Sequence, residues 1–276
     1  MRVLAVEAEP LDELPAWNAA GRGEIEEIRV PILRASVDSL PEPLDAIVAT
    51  ADLQALEPPN GATPPRLLGE ALAEGLLELG VRGEIPAPER TGVLLAGDLY
   101  TVPGLSRRGG SGDVRSVWLA FAKRFRWVAG VLGNHDEIGP RNRDLEKVAR
   151  APGLHVLDGE VRELDGLRVG GVHGIIGNPS RLNRQAPETF IEKIEVALDG
   201  RSHVLLLHEG PDAVDGSGKA LRGSADIRIA LERAGLRKPP LVVCGHSWWP
   251  VPLVELAEGV QVLKVDGRVV VLERAD

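Results

Sequence analysis

The chain's strongest constraint on its fold is the way its apolar runs end. Five short Val/Leu/Ile-rich stretches, at 44–52, 91–98, 125–135, 203–210 and 240–247, have the length and β-branched content of buried strands. Each stops on polar side chains, most of them beside a glycine: Asp52-Leu53-Gln54, Gly97-Asp98, Gly133-Asn134-His135-Asp136, His208-Glu209 and Gly245-His246. A turn alone accounts for any one of these, since Gly, Asn and Asp are turn formers. Five in succession need another cause. In an α/β sheet the carboxyl ends of the strands share one rim, where ligands gather. Carboxylates, an amide and imidazoles on that rim suit a hard or borderline divalent cation.

The intervening segments predict helices at 65–80, with Gly80 as a stop, at 113–125, with Asp113 as N-cap, and at 186–200. Residues 153–174 predict a strand and then a hairpin turning at Leu164-Asp165-Gly166, and 259–273 predict a terminal hairpin turning at Asp266-Gly267. Helices between strands early and hairpins later point to an α/β fold with a mixed sheet or two stacked sheets. In residues 1–43 only "RVLAVE" reads as a strand. This candidate N-terminal extension to a single 1–276 domain has three roles open: edge strands, a cover over the site, or a dimer contact.

Bulk properties narrow the function classes. Of 276 residues, 43% are hydrophobic and 26% charged, enough for a sizeable core. A formal net charge of −9 disfavours long nucleic acid or an anionic membrane as partner. Cys244 is the single cysteine, so no intramolecular disulfide forms. The opening "MRVLAVEAEP" lacks the apolar run of a signal peptide, and no segment approaches the roughly 18 apolar residues of a membrane span. The expectation is a cytoplasmic protein with no membrane partner; oligomeric state is open.

In order and spacing, "ADLQ", "AGDL", "GNHD", "LLHEG" and "CGHSW" resemble the motifs of the calcineurin-like metallophosphoesterase superfamily. The resemblance implies a four-layer α/β/β/α sandwich of two mixed β-sheets flanked by helices. It makes Asp98 the carboxylate between two metal positions, with Asn134, His208 and His246 completing one of them. The other keeps Asp52, but Gln54 stands where a His is expected and Trp248 where another is. One ion held tightly and a second that binds weakly and exchanges, or is recruited with substrate, is the expectation. The mixed oxygen and nitrogen set favours Mn²⁺, with Fe²⁺, Zn²⁺ or Mg²⁺ as alternatives. His135 is the implied acid and transition-state stabiliser. Thr101 and Val102 replace the Asp and Arg of the protein-phosphatase branch, so that branch is not expected.

Arg107, Arg108 and Arg181, on loops after strands, are candidates to bind substrate phosphate through guanidinium forks. His173, ending a strand among glycines, is a candidate to face the substrate or the depleted metal position. Trp248 and Trp249 either stack on a flat group or pack between the sheets, and His155 and His203 read as structural. The predicted activity is hydrolysis of a small phosphomonoester or phosphodiester. The competing class is a catalytically silent relative, a phosphate-ligand sensor or a partner-binding scaffold. A nuclease on polymeric substrates is disfavoured by the acidic balance.

Overall fold

A computed structural model describes residues 1–21, 23–59, 65–107 and 109–275. The chain first lays down β1 (Val3–Val6), β2 (Asp12–Gly21), β3 (Glu24–Val37), β4 (Ala46–Thr50), β5 (Thr91–Leu95), β6 (Trp127–Gly130) and β7 (Leu154–Val156). It then builds a second sheet from β8 (Glu160–Leu164), β9 (Leu167–Val172), β10 (Val204–Glu209), β11 (Leu241–Gly245), β12 (Leu253–Glu255) and β13 (Gln261–Lys264). Finally β14 (Val269–Arg274) returns to the first sheet. The helices among the described residues are α1 (Leu68–Val81), α2 (Arg115–Ala122), α3 (Leu145–Ala149), α4 (Pro187–Asp199) and α5 (Ala225–Arg233). Strand order is β1-β3-β14-β4-β5-β6-β7 in the first sheet, with β2 pairing β3, and β8-β9-β10-β11-β13-β12 in the second. Both sheets are mixed. Strands β4 to β7 run parallel, as do β9, β10, β11 and β13.

The parallel strands other than β7 are buried on both faces, and their alternation shows where each face goes. Ile47, Ala49, Leu94 and Ala96 of the first sheet share a core with Val204, Leu206 and Val243 of the second. The opposite faces turn outward: Val48, Val93 and Leu95 meet Leu72 and Leu76 of α1 and Trp118 and Phe121 of α2. Leu205, Leu207 and Val242 meet Phe190 and Ile194 of α4 and Ile227 and Leu231 of α5. No helix among the described residues is long and apolar enough to cross a membrane.

The helix predictions are met at 68–81, 115–122 and 187–199, the last with Pro187 in its first turn. Asp113 is not the N-cap of α2. It lies in a two-residue strand paired with 136–137, and its carboxylate accepts the Arg115 N–H at 3.0 Å. Helix α5 escaped the sequence reading, although Ser224 caps it through the Ile227 N–H.

The β8–β9 hairpin turns at Asp165-Gly166, both with left-handed backbone (φ 52° and 87°), as an antiparallel two-residue turn requires. The terminal hairpin is a misreading. Its turn exists, but β13 and β14 leave it into different sheets. The linking backbone is satisfied on both sides: Val265 N–H donates to Cys244 O at 2.9 Å in the second sheet, and Gly267 N–H to Ala51 O at 3.1 Å in the first. Residues 1–43 supply edge strands. Trp17 and Leu56 also exchange backbone hydrogen bonds at 2.8 and 2.9 Å, which clamps the β2–β3 hairpin onto the loop after β4. Leu56 and Leu105 share a small core with Ala19, and Trp17 packs against it.

Candidate metal centre

The carboxyl ends of β4, β5 and β6 face those of β10 and β11, so the five strand ends converge. The backbone at three of these ends is unusual. Asp52, Asp98 and His246 have φ of 56°, 56° and 72°, a left-handed conformation that costs non-glycine residues on the order of 1–3 kcal/mol each. Close approach adds a second demand. A Cβ on Gly133 would lie 2.0 Å from Asp98 Oδ1, and one on Gly245 would lie 2.2 Å from Asp52 Oδ2, so the glycine before each ligand makes room for a carboxylate from another strand.

One potential ligand atom from each of Asp98, His208 and His246 lies within 4.8 Å of the others. The imidazoles of His208 and His246 stand edge to face, 5.1 Å apart at 63°. His208 is fully buried and its Nδ1 lies 2.8 Å from Ala96 O. A carbonyl only accepts, so Nδ1 carries the proton and Nε2 presents its lone pair. That Nε2 sits 3.4 Å from Asp98 Oδ2 and has no hydrogen-bond partner; Asn134 Oδ1 is likewise buried and unpartnered. Buried acceptors are normally satisfied. Two orphaned acceptors from two strands, beside a buried carboxylate, fit a cation.

The electrostatics carry the same demand for positive charge. With no ion beside it, burial opposes charge on His208, but Asp98 and then Asp52 outweigh it and push the pKa up to about 10, so that a proton on Nε2 fills the place a cation would take. Burial and the neighbouring His208 depress His246 to about 4. Burial pushes Asp98 upward, but His208 and His135 reverse that and hold it below the usual carboxylate range. Asp52 is raised well above that range by burial and by Asp266.

Each sequence candidate can now be placed. Asp98, His208 and His246 meet, and Asn134, buried with an unpartnered Oδ1, precedes the His135 whose N–H binds Asp98. Asp52 reaches the same rim, where its Oδ2 accepts the His246 N–H at 2.9 Å. Gln54 does not present its carbonyl oxygen to Asp98: its Nε2 donates to Asp98 Oδ2 at 2.9 Å. The other oxygen of Asp98 accepts the His135 N–H at 2.9 Å, which places His135 beside the centre, with Nδ1 3.4 Å from Ser111 Oγ. His173 is buried and tied to the backbone. Its Nδ1 accepts the Leu132 N–H at 3.0 Å, and burial lowers its pKa to about 4. Trp248 is 65% exposed, whereas Trp249 is buried between the second sheet and its helices, not between the sheets. Arg107 and Arg181 are exposed on their loops; Arg108 lies outside the described residues.

Two contributors were missed. Asp136 accepts backbone N–H groups from Asp98, Leu99 and Gly133 at 2.8, 2.7 and 2.9 Å, and so ties the β5 and β6 ends together. Its place in "GNHD" could have marked it. Lys264 is fully buried in β13; its ammonium donates to Gly245 O and lies 5.1 Å from the Trp249 ring. A lysine in "QVLKV" gives no such signal.

No protein-family model and no curated protein matches the chain. Among solved structures, TT1561 of Thermus thermophilus aligns over 80% of this chain and 88% of its own at 17% identity, with a TM-score of 0.51. That likeness is one of fold. Phosphopantetheinyl hydrolase of Mycobacterium tuberculosis aligns at 15% identity over 80% and 88% of the two chains, with a TM-score of 0.45. Sulfate thiohydrolase SoxB of Thermus thermophilus aligns at 15% over 83% and 53%, with a TM-score of 0.42.

Proposed function

We propose that this chain is a divergent calcineurin-like metallophosphoesterase, with α/β/β/α layering, that hydrolyses a small phosphomonoester or phosphodiester. The observation that carries the reading is the meeting of Asp98, His208 and His246 with the orphaned acceptors of His208 and Asn134. These four residues would hold one divalent ion, with Mn²⁺ the best match to their mixed donors. Bound there, such an ion supplies Lewis-acid polarisation of a phosphoryl oxygen and makes an attacking water more acidic.

The chain's own groups do the rest. Asp98 and the two imidazoles set the ion's position. The Ala96 carbonyl, by holding the Nδ1 proton of His208, fixes the tautomer that ligates through Nε2. His135, anchored through its main chain to Asp98, is the candidate to donate a proton to the leaving oxygen. Arg107 and Arg181 remain candidates to steer the phosphate.

A second reading, a silent one-metal relative that senses a phosphorylated ligand, draws on Gln54 and Trp248 at the neighbouring position. Hydrolysis of nitrophenyl phosphate mono- and diesters with added Mn²⁺ separates the two. Turnover that requires both Mn²⁺ and His135, as judged with His135→Ala, supports the enzyme. No turnover of either ester at any Mn²⁺ concentration overturns it.

A further inference from the structure

We propose that the second cation position beside Asp98 is closed in this protein, with Gln54 standing where a second ion would act, so that the chain binds a single divalent ion. The inference rests on the reading of Asp98, Asn134, His208 and His246 as a metal centre and goes beyond it by assigning the other side.

A carboxylate has about four lone-pair sites on its two oxygens. On Asp98, Oδ2 faces His208 Nε2 on one side and accepts the Gln54 amide at 2.9 Å on another. Oδ1 accepts the His135 N–H. An ion on the Gln54 side must evict that amide to reach Oδ2. The orientation of the amide is fixed by chemistry: turned over, its carbonyl oxygen would stand 2.9 Å from a carboxylate oxygen, acceptor against acceptor. Nor is Gln54 on a slack loop. Leu53 beside it is buried, Ala55 N–H donates to Leu53 O at 2.8 Å, and Leu56 is locked to Trp17. The N-terminal hairpin therefore holds the residue that occupies the position.

The remaining groups there do not form a cage. One oxygen of Asp52 is taken by the His246 N–H, and the Trp248 indole offers no lone pair and is largely in solvent.

The test is a metal count with a spectroscopic readout. Protein loaded with millimolar Mn²⁺ and freed of excess is analysed by plasma emission and low-temperature electron paramagnetic resonance. The expected result is one Mn²⁺ per chain with the six-line spectrum of an isolated ion. Gln54→Glu, nearly isosteric, turns the donor into an acceptor, and the count should rise to two with an exchange-coupled spectrum. Two coupled Mn²⁺ in the unaltered protein overturn the proposal. A folded Gln54→Glu protein still holding one ion overturns the role of Gln54. No bound Mn²⁺ at all would instead remove the metal centre on which the inference stands.

Discussion

Asp98 divides the rim into two halves built from opposite materials. On the His208 side, acceptors outnumber donors: the Nε2 of His208 and the Oδ1 of Asn134 are buried with nothing to receive. On the Gln54 side one oxygen of Asp98 accepts from the Gln54 amide and one oxygen of Asp52 from the His246 N–H. Buried acceptors without donors call for a cation; satisfied ones do not. The same carboxylate serves both halves, so ligand identity alone does not tell how many ions a rim like this binds. The donor balance on each side decides it.

The comparison breaks most visibly at the shared residue. Asp98→Ala should release the ion and bring ester hydrolysis down to the uncatalysed background, read by metal content and initial rates. An Asp98→Ala protein that keeps its metal would dissolve the distinction between the halves. Next in size is His135→Ala, expected to slow turnover by about 10²–10⁴-fold while metal content stays unchanged. Loss of metal in that variant would place His135 among the ligands.

His173 offers an imidazole that is buried like His208 yet spent on the backbone, and it sharpens the contrast through pH. Its depressed pKa of about 4 means that the folded protein refuses a proton the unfolded chain accepts near 6.5. Its contribution, up to about 3 kcal/mol, is complete above pH 6.5 and is lost as pH falls toward 4. In His173→Gln that part of the acid slope should vanish, read from urea midpoints of both proteins at pH 7.5 and 4.5. The smallest effect belongs to the solvent-facing edge: Trp248→Ala should change stability by less than about 0.5 kcal/mol and leave the metal count alone, by thermal melting and plasma emission.

What the sequence made legible follows from what its patterns encode. Strands β4, β5, β6, β10 and β11 were readable because burial on both faces demands continuous apolar runs, and their ends because glycine must precede a ligand that approaches another carboxylate. The grouping of Asp98, Asn134, His208 and His246 was implied by the resemblance of the motifs and their order, not by any strand taken alone. The terminal hairpin was misread because two buried strands joined by Asp266-Gly267 look alike whether they pair with each other or part into separate sheets. The Gln54 hydrogen bond was invisible, since residue type reveals which groups an amide offers and not which one it turns inward. The N-terminal hairpin was hidden because β2 and β3 expose much of one face, and their Pro and charged residues mask the period.

Strand β14, the last of the strands among the described residues, lies between β3 and β4 in the first sheet. During synthesis the N-terminal hairpin and the β4–β7 block therefore emerge with a gap between them, each presenting a bare edge to anything nearby. Their strands cannot join into one sheet until residues 269–274 have left the ribosome, although Trp17 and Leu56 already link the hairpin to the loop after β4. Late arrival of the keystone makes nascent chains the vulnerable species, and removal of residues 269–274 should be far more damaging than the few lost side chains suggest.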